Sequence, residues 1–435
     1  MSSLPGQTSA FPPVAWVRQR FPSIPAPDPA QVLEEQLPPL LQGVSAGARI
    51  AVAVGSRGID QLQEIVRATM AILRRHRLQP FLIPAMGSHG GATAEGQKAL
   101  LAGYGITEDQ IGVPVVSSME VQQVGTIPAG VPVFCSQDAL QADQVLLINR
   151  VKPHTDFHGE IGSGLLKMLV VGLGKHQGAR TFHRAAIRWG YIPVLQAMAR
   201  VILEKLPLLG GVAIVEGPDH RLAHIEVVPA GAVEDREPEL CRMAREWMPR
   251  LPFEEVDVLV VDRMGKNISG TGMDPAVIGR MIHGYSTLLS PDQPPPRVYR
   301  LVVCDLTEET RGNAIGLGMA DFTTERLVSR IDRKATYTNA FTALSIQGAK
   351  IPMTFPSDRE AIEAALETLP EGDPRQIRLV RIQDTLHLEW LQVSEALLAE
   401  TRARGLEVVS KPAPWNFSSN GDLPPFTPPG AEESV

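Results

Sequence analysis

The sequence predicts an α/β protein with two α/β domains, each built on a largely parallel sheet, and an active-site cleft between them. Short apolar segments alternate with amphipathic helical segments along the chain, a pattern typical of parallel sheets with helical crossovers. The chain has 435 residues, 44% of them hydrophobic and 20% charged. This length and composition favour two hydrophobic cores over one.

A βαβα pattern starts at Ala48 and defines the first domain. The strand ARIAVAVG is followed by a helix over 59–77, the strand QPFLIPA and a helix over 93–105. Apolar strands and amphipathic helices continue as far as Pro252. Further strands are predicted at VPVVSS, VPVFCS, DQVLLINR and GVAIVEG, with helices at IPVLQAMARVILEKL and near 234–249.

The strand VDVLVVD at 256–262 opens the second domain. RVYRLVVCDL, a helix near 357–369, RLVRI and a helix near 391–404 continue it. Proline-rich segments without apolar periodicity flank the two domains. The predicted organisation is an extended Pro-rich arm over 1–44, domains over 45–252 and 253–405, and a Pro/Gly-rich tail over 406–435.

Charge and cysteine content narrow the function classes. A net charge of −7 gives no support to a nucleic-acid partner, whereas a few local arginines and lysines would suffice for a small anion. No apolar run is long enough for a membrane span or fits a signal peptide, so a cytoplasmic location without a membrane partner is expected. Neither a disulfide framework nor a cysteine zinc site is indicated, because only three cysteines occur, at 135, 241 and 304, without CxxC pairing.

Glycine and polar residues cluster where three predicted strands end: GSRGID at 55–60, MGSHGG at 86–91 and NRVKPHTDFHGEIGSGLLKM at 149–168. Loops at the carboxyl ends of parallel strands line the ligand crevice of an open sheet. Arg57, His89 and His154 are therefore expected to face one pocket. A guanidinium at position 57 suits a carboxylate, although a surface salt bridge is the alternative. For His89 the alternative is a loop-stabilising hydrogen bond.

Four of the 10 histidines fall between residues 152 and 183. Imidazoles can act as acid, base or metal ligand, so the cluster suits proton transfer beside a metal or cofactor. No HExxH spacing occurs, which leaves a zinc hydrolase and a proton-transfer enzyme both open. Structural roles are favoured for His158 and His176, and Lys175 could cap the turn GLGK.

These motifs, in this order and spacing, resemble the lactate racemase superfamily over roughly residues 45–280. Arg57 and His89 are 32 residues apart, His154 and Lys167 13, and Lys167 and His183 16. The resemblance implies reversible hydride transfer on a 2-hydroxy acid by a nickel pincer nucleotide.

The resemblance also implies a role for each matching residue. Arg57 would hold the substrate carboxylate, and His89 and His154 would be the two acid/base residues. Lys167 would anchor the cofactor and His183 would ligate nickel. Further cofactor contacts are predicted at Ser88, Gly162 and Gly164.

Two departures from the family pattern bear on cofactor and substrate. The segment between His154 and Lys167 is three residues longer than in the family, and the Pro-Gly that follows the family's lysine is absent. Noncovalent NAD therefore stands as an alternative cofactor. In the second domain, the family's glutamine and lysine are missing at the matching offsets. Lys266, Asn267 and Arg280 are the predicted substrate-binding replacements, which suggests a substrate other than lactate.

The predicted function is a racemase or epimerase of a 2-hydroxy acid, with two histidine acid/bases and a pyridinium-type cofactor. The alternatives are the same chemistry with NAD, a sugar-acid dehydratase, and a noncatalytic binding protein. Cofactor maturation enzymes are expected partners if the pincer is used, and a homodimer is possible.

Overall fold

The computed structural model describes residues 11–55, 58–154, 159–282, 296–370 and 373–430. The chain forms two compact units. The N-terminal unit is Pro22–Met248, and the C-terminal unit combines the chain up to Phe21 with the residues from Pro249 onward. The sequence prediction put the boundary at 252/253.

Strands of two to ten residues form the sheets of both units. In chain order they are β1 (Val14–Arg18), β2 (Arg49–Val54), β3 (Gln79–Pro84), β4 (Val121–Thr126), β5 (Pro132–Ser136), β6 (Gln144–Arg150), β7 (Leu208–Glu216), β8 (Leu222–Pro229), β9 (Glu255–Met264), β10 (Arg297–Leu306), β11 (Phe322–Thr324), β12 (Met353–Phe355), β13 (Leu379–Ile382), β14 (Trp390–Ser394) and β15 (Glu407–Val408).

Helices connect most of these strands. In chain order they are α1 (Pro29–Leu40), α2 (Leu62–Arg75), α3 (Ala94–Gly103), α4 (Glu108–Ile111), α5 (Gln137–Leu140), α6 (Leu165–Lys167), α7 (Lys175–Trp189), α8 (Tyr191–Leu203), α9 (Val233–Trp247), α10 (Pro275–Ile278), α11 (Leu317–Met319, a 3₁₀ turn), α12 (Glu325–Ser329), α13 (Arg333–Ala343), α14 (Asp358–Glu367) and α15 (Leu398–Ala403).

The five-stranded sheet of the N-terminal unit has the order β3-β2-β6-β7-β8 and is parallel except for the β7–β8 pair. Both faces are covered, which is why its strands read as continuous apolar runs. In β2, Ile50 and Val52 pack into one core, whereas Ala51 and Ala53 pack into another on the opposite face. This alternation follows from the two-residue period of a strand.

The C-terminal unit has an eight-stranded sheet with the order β12-β11-β10-β9-β13-β14-β1-β15. The strands from β12 to β13 are parallel, and β14, β1 and β15 extend the sheet in antiparallel pairs. The prediction of two α/β domains with largely parallel sheets is therefore confirmed.

The prediction of an extended Pro-rich arm over 1–44 is wrong for two of its described segments. Residues 14–18 form β1 inside the C-terminal sheet, and 29–40 form α1 in the N-terminal unit. Asp28 caps α1 by accepting a hydrogen bond from the Ala30 amide at 2.9 Å, and Pro29 occupies the first turn. A capping aspartate followed by proline is a helix start signal, and it carried more information here than the overall proline content.

The tail predicted from residue 406 is packed against the C-terminal unit over its described part. Val408 pairs with Val17 through β15, and the Trp415 side chain is buried. The indole Nε1 of Trp415 donates to Gln392 Oε1 at 2.8 Å. A tryptophan with both its ring and its N–H satisfied explains why this proline-rich segment is ordered.

The helix predicted near 391–404 is instead the strand β14 followed by the short helix α15. Leu391 and Val393 are buried, and β14 lies between β13 and β1 in the sheet. The apolar spacing in WLQVSEALL fits the period of a helix as well as that of a strand. Pairing with the neighbouring strands therefore determines that this segment begins as a strand. No helix in the described ranges is long and apolar enough to span a membrane.

Candidate active site

His89 and His154 follow neighbouring parts of the same sheet. His89 lies in the loop after β3, and His154 lies four residues after the end of β6, with β2 between these two strands. Parallel strands place their carboxyl ends at one edge, so the two loops emerge on the same side of the sheet. Arg57 and His158, which the sequence analysis also considered, lie outside the described residues.

A backbone bridge joins Lys152, two residues before His154, to Ser163, four residues before Lys167. The amide of Lys152 donates to the Ser163 carbonyl at 2.9 Å, and the Ser163 amide donates back at 2.7 Å. Gly162 lies directly against this bridge: a Cβ atom there would come within 2.3 Å of the Lys152 carbonyl oxygen. Glycine at 162 therefore allows two chain segments to approach closely, and its predicted role as a cofactor contact stays a prediction.

Lys167 and His154 form the central contact of the site. The ammonium Nζ of Lys167 and Nε2 of His154 are hydrogen-bonded, and both side chains are half-buried. This hydrogen bond requires one partner to donate and the other to accept with a lone pair, so the two groups are not both protonated in it. Lys167 is the last residue of α6, which starts immediately after the bridged segment.

Tyr191 joins this pair to His183. The tyrosine hydroxyl lies 2.8 Å from Nδ1 of His183. The Tyr191 ring centroid is 5.4 Å from that of His154 and 6.0 Å from that of His183. His183 projects from α7 and Tyr191 is the first residue of α8, so the turn at Gly190 between these helices brings both rings together. Two of the predicted site residues, His154 and His183, thus lie beside one tyrosine, and Lys167 is hydrogen-bonded to the first of them.

A buried carboxylate supports the turn that carries Lys167. Glu237 on α9 is 1% exposed, and its Oε2 accepts a hydrogen bond from the Leu166 amide at 2.8 Å. Burial raises the pKa of Glu237 to about 7, although its hydrogen bonds from the Leu166 and Leu165 amides act in the opposite direction. The carboxyl group fills the space beside Gly164, where a Cβ atom would meet Oε1 at 2.5 Å.

Asn149 fixes the other side of the same turn. It lies near the end of β6, and its Nδ2 donates to the Gly164 carbonyl at 2.8 Å. Gly164 is therefore held by a side chain on each side, and its predicted role as a cofactor contact stays a prediction. Glycine is required here because Glu237 occupies the position of a side chain.

The loop with Ser88 and His89 is held by backbone contacts. The His89 amide donates to the Met86 carbonyl at 3.1 Å, and the Gly87 amide donates to the Gly172 carbonyl at 3.2 Å. Gly172 ends the π-helical turn that follows Lys167. The chain around His89 is thereby joined to the element that carries Lys167. Ser88 is half-buried in this loop.

The three predicted substrate residues of the C-terminal unit follow β9 and have hydrogen bonds within that unit. Lys266 Nζ donates to the Gly270 carbonyl at 2.7 Å, and Asn267 Oδ1 accepts from Thr307 at 2.6 Å. Arg280 forms an ion pair with Asp321 at 2.7 Å. Arg280 is thus also part of the internal packing of its unit. Substrate binding by these residues stays a prediction.

Sequence reasoning missed Tyr191, Glu237 and Asn149. The tyrosine had a usable signal, because it is one of only 5 in the chain and follows the glycine of RWGYIP. Glu237 had none, since it stands in the charged run EDREPEL, which is typical of a solvated helix face. Only the packing of α9 against α6 shows that this carboxylate is buried.

Metal binding has one candidate residue here. Within the ranges that the structure describes, no three His, Cys, Asp or Glu side chains are grouped as a metal site. With Nδ1 of His183 engaged by Tyr191, Nε2 is the nitrogen suited to a metal. This donor set fits a metal that is brought in by a cofactor which supplies its other ligands.

The fold and this cluster of imidazole, amine and phenol define an α/β protein with a site suited to acid/base chemistry. Residues 36–190 match the family model of the lactate racemase N-terminal domain. The matched segment contains Arg57, His89, His154, Lys167 and His183. Residues 36–190 therefore belong to the lactate racemase N-terminal domain family, which confirms the resemblance seen in the sequence over this segment.

Solved structures with a similar fold are distant in sequence. A protein of Thermotoga maritima shares 14% identity with a TM-score of 0.51, over 83% of this chain and 98% of that one. The lactate racemase apoprotein of Thermoanaerobacterium thermosaccharolyticum shares 13% identity with a TM-score of 0.47, over 84% and 88% of the two chains. No curated protein matches the chain.

Proposed function

We propose that this chain is a racemase or epimerase that acts on a 2-hydroxy acid by reversible hydride transfer. The observation that carries the proposal is the hydrogen-bonded pair His154–Lys167 beside Tyr191 and His183, within the segment that matches the lactate racemase N-terminal domain. An imidazole, an amine and a second imidazole in one cluster suit proton transfer next to a bound cofactor.

Racemisation through a planar 2-keto acid requires acid/base groups that reach the substrate hydroxyl in both enantiomers. His154 and His89 follow strands of one sheet edge, and they are the proposed pair. In the protein without cofactor, the hydrogen bond between Lys167 Nζ and Nε2 orients the His154 ring. Arg57, which follows β2 in the sequence, is the proposed partner of the substrate carboxylate.

The proposed cofactor is a nickel pincer nucleotide, and noncovalent NAD is the alternative. When bound, either group would supply a pyridinium ring that accepts and returns a hydride. Lys167 and His183 are the residues of this chain that would hold the pincer and its nickel, with Ser88 nearby in the His89 loop. Cofactor maturation enzymes would then be partners of this protein.

The proposed substrate is larger or more polar than lactate. Lys266, Asn267 and Arg280 replace the glutamine and lysine of the family pattern. They offer two cations and an amide, which suit a substrate with additional hydroxyl or carboxylate groups.

The test is isotopic. Protein co-expressed with pincer maturation enzymes is incubated in D₂O with single enantiomers of lactate, malate and a sugar acid. The product enantiomers are separated by chiral chromatography, and their deuterium content is measured by mass spectrometry. Interconversion without deuterium at the C2 carbon is expected, because the hydride returns internally. Deuterium at the carbon next to the carboxylate would contradict hydride transfer and indicate a sugar-acid dehydratase or another proton-abstracting enzyme.

The cofactor is tested on the same preparation. Nickel content and the mass of the peptide with Lys167 distinguish a covalent pincer from an unmodified lysine. A reduced-nicotinamide absorbance on addition of substrate would favour NAD instead. Turnover without either signature would overturn both cofactor proposals.

A further inference from the structure

Lys175 is a buried lysine whose ammonium the proposed chemistry does not use. Its side chain is fully buried at the start of α7. Its backbone has a φ of 52°, in the left-handed region that non-glycine residues rarely adopt. Within the described ranges, no carboxylate lies at ion-pair distance from its Nζ. The titratable groups that act on it are Asp138 on α5 and Cys135 on β5.

The ammonium of Lys175 is aimed at the base of the His89 loop. Nζ donates to the carbonyl of Pro84 at 2.6 Å and to Oε1 of Gln97 at 3.4 Å. Pro84 is the last residue of β3, directly before the loop, and Gln97 lies on α3, directly after it. One lysine therefore contacts both ends of the segment that carries His89.

Gln97 extends this contact into the loop itself. Its side chain is fully buried, and Nε2 donates to the carbonyls of Gly87 at 2.9 Å and His89 at 3.4 Å. An amide can rotate by half a turn and exchange its oxygen and nitrogen. Lys175 is only a donor, so it keeps the amide oxygen of Gln97 on its own side and the N–H₂ group towards the loop.

A packing role does not account for a lysine at this position. Methionine has a similar length and would fill the space without the cost of burying an ammonium. Burial lowers the pKa of Lys175 to about 8, while the charges of Asp138 and Cys135 act in the opposite direction. The position therefore retains a costly charge beside a chemically important loop.

We propose that Lys175, acting through Gln97, is a positioning residue that fixes the His89 loop and ties it to the helix that carries His183. The catalytic part of this inference rests on the proposed function. The geometric part does not, because it concerns the loop in the protein without substrate.

Hydrogen–deuterium exchange of the peptide over 86–97 tests the geometric part. In the Lys175→Met variant, amides of this peptide are expected to exchange about tenfold faster or more, since Gln97 loses the contact that orients it. Lys98→Met is the matched control. Lys98 is the neighbour of Gln97 on α3 but pairs with Glu108 at the surface, so its loss should leave the peptide unchanged. Unchanged exchange in Lys175→Met would overturn the inference.

A second variant keeps the lysine and removes the donor. Gln97→Glu retains an acceptor for Lys175 but has no N–H₂ group for the carbonyls of Gly87 and His89. Faster exchange over 86–97 is expected here too, and this variant decides the matter if Lys175→Met fails to fold. Wild-type protection of the peptide should also decrease above about pH 8, because a neutral amine is a weaker donor. A pH-independent protection factor would contradict this.

Activity separates this inference from the proposed function. In an active preparation, Lys175→Met should lower kcat by tenfold or more with KM changed by less than threefold, because His89 is misplaced while carboxylate binding is retained. Faster exchange without any racemase activity would leave the positioning role standing and count against the proposed function. Racemase activity with unaltered kcat and exchange in both variants would reject the positioning role alone.

Discussion

The two units contain buried charged side chains that are compensated in different ways. In the N-terminal unit, Lys175 and Glu237 are buried with hydrogen bonds to neutral groups only. In the C-terminal unit, buried Arg381 forms two hydrogen bonds to the carboxylate of Asp262, at 2.7 and 2.8 Å. There the fully buried Asp384 likewise pairs with His387 at 2.8 Å, and this hydrogen bond raises the pKa of His387.

The difference concerns whether a buried charge has an ion-pair partner. Paired buried charges satisfy each other and need no functional explanation. Single buried charges cost stability, and they tend to occur beside functional groups. Both examples here contact the backbone of loops that carry candidate catalytic residues: Glu237 supports the turn before Lys167, and Lys175 supports the loop of His89. Two buried titratable side chains of the N-terminal unit thus contact the segments next to candidate catalytic residues.

The largest expected effect compares a histidine from each unit. His154→Gln should lower kcat/KM by about 10³-fold, since a positioned acid/base typically contributes between ~10² and ~10⁴. His387→Gln, which removes only the paired histidine of the C-terminal unit, should change it less than twofold. Steady-state kinetics on the best substrate of the enantiomer panel measures both. Equal losses of kcat/KM in the two variants would contradict a catalytic role that is specific to His154.

Breaking the buried pair of the C-terminal unit should cost stability. Arg381→Met leaves the Asp262 carboxylate without its counter-charge and is expected to lower the free energy of unfolding by about 3–5 kcal/mol. Asp262→Asn, added to Arg381→Met, should recover part of this loss because no unpaired charge then remains. Urea denaturation followed by circular dichroism checks both, and no recovery in the double variant would show that the ion pair is not the cause.

Glu237 should make the stability of the protein depend on pH. Its pKa in the folded protein, about 7, lies above the ordinary 4.5, so the folded state binds the proton more tightly. The stabilisation is present below pH 4.5 and is lost as the pH rises through 7, by up to ~3 kcal/mol. Denaturation of Glu237→Gln should lack this loss. The difference in free energy of unfolding between variant and wild type should therefore grow from pH 4 to pH 8. A difference that does not change with pH would contradict a raised pKa of Glu237 in the folded protein.

The smallest expected effects concern two glycines of the N-terminal unit. Gly164→Ala would force a methyl group against Glu237 and should destabilise the protein by about 1–3 kcal/mol. Gly103→Ala, in α3 with open space around it, should stabilise by ~0.5 kcal/mol through helix propensity. Thermal unfolding of both variants measures the contrast. A tolerated Gly164→Ala would mean that Glu237 can move away from the turn.

The local sequence pattern was sufficient to predict strands of the N-terminal sheet and part of the candidate site. The runs that form β2, β3 and β6 are apolar without interruption because both faces are covered, and the loops after β3 and β6 carried the histidines. What the sequence could not provide were contacts between distant segments. Glu237 reads as a surface charge until α9 packs on α6, and Tyr191 gains its role only from the turn between α7 and α8.

The pairing of β1 with β14 has a consequence for how the protein is made. Val14 pairs with Ser394, so the C-terminal sheet is complete only after the chain has been synthesised beyond residue 394. The segment Pro22–Met248 is continuous and has its own sheet, so it can fold on the ribosome before β14 is available to pair with β1. Such a long-range closure is slow relative to local contacts, so assembly of the second sheet is expected to set the pace of maturation.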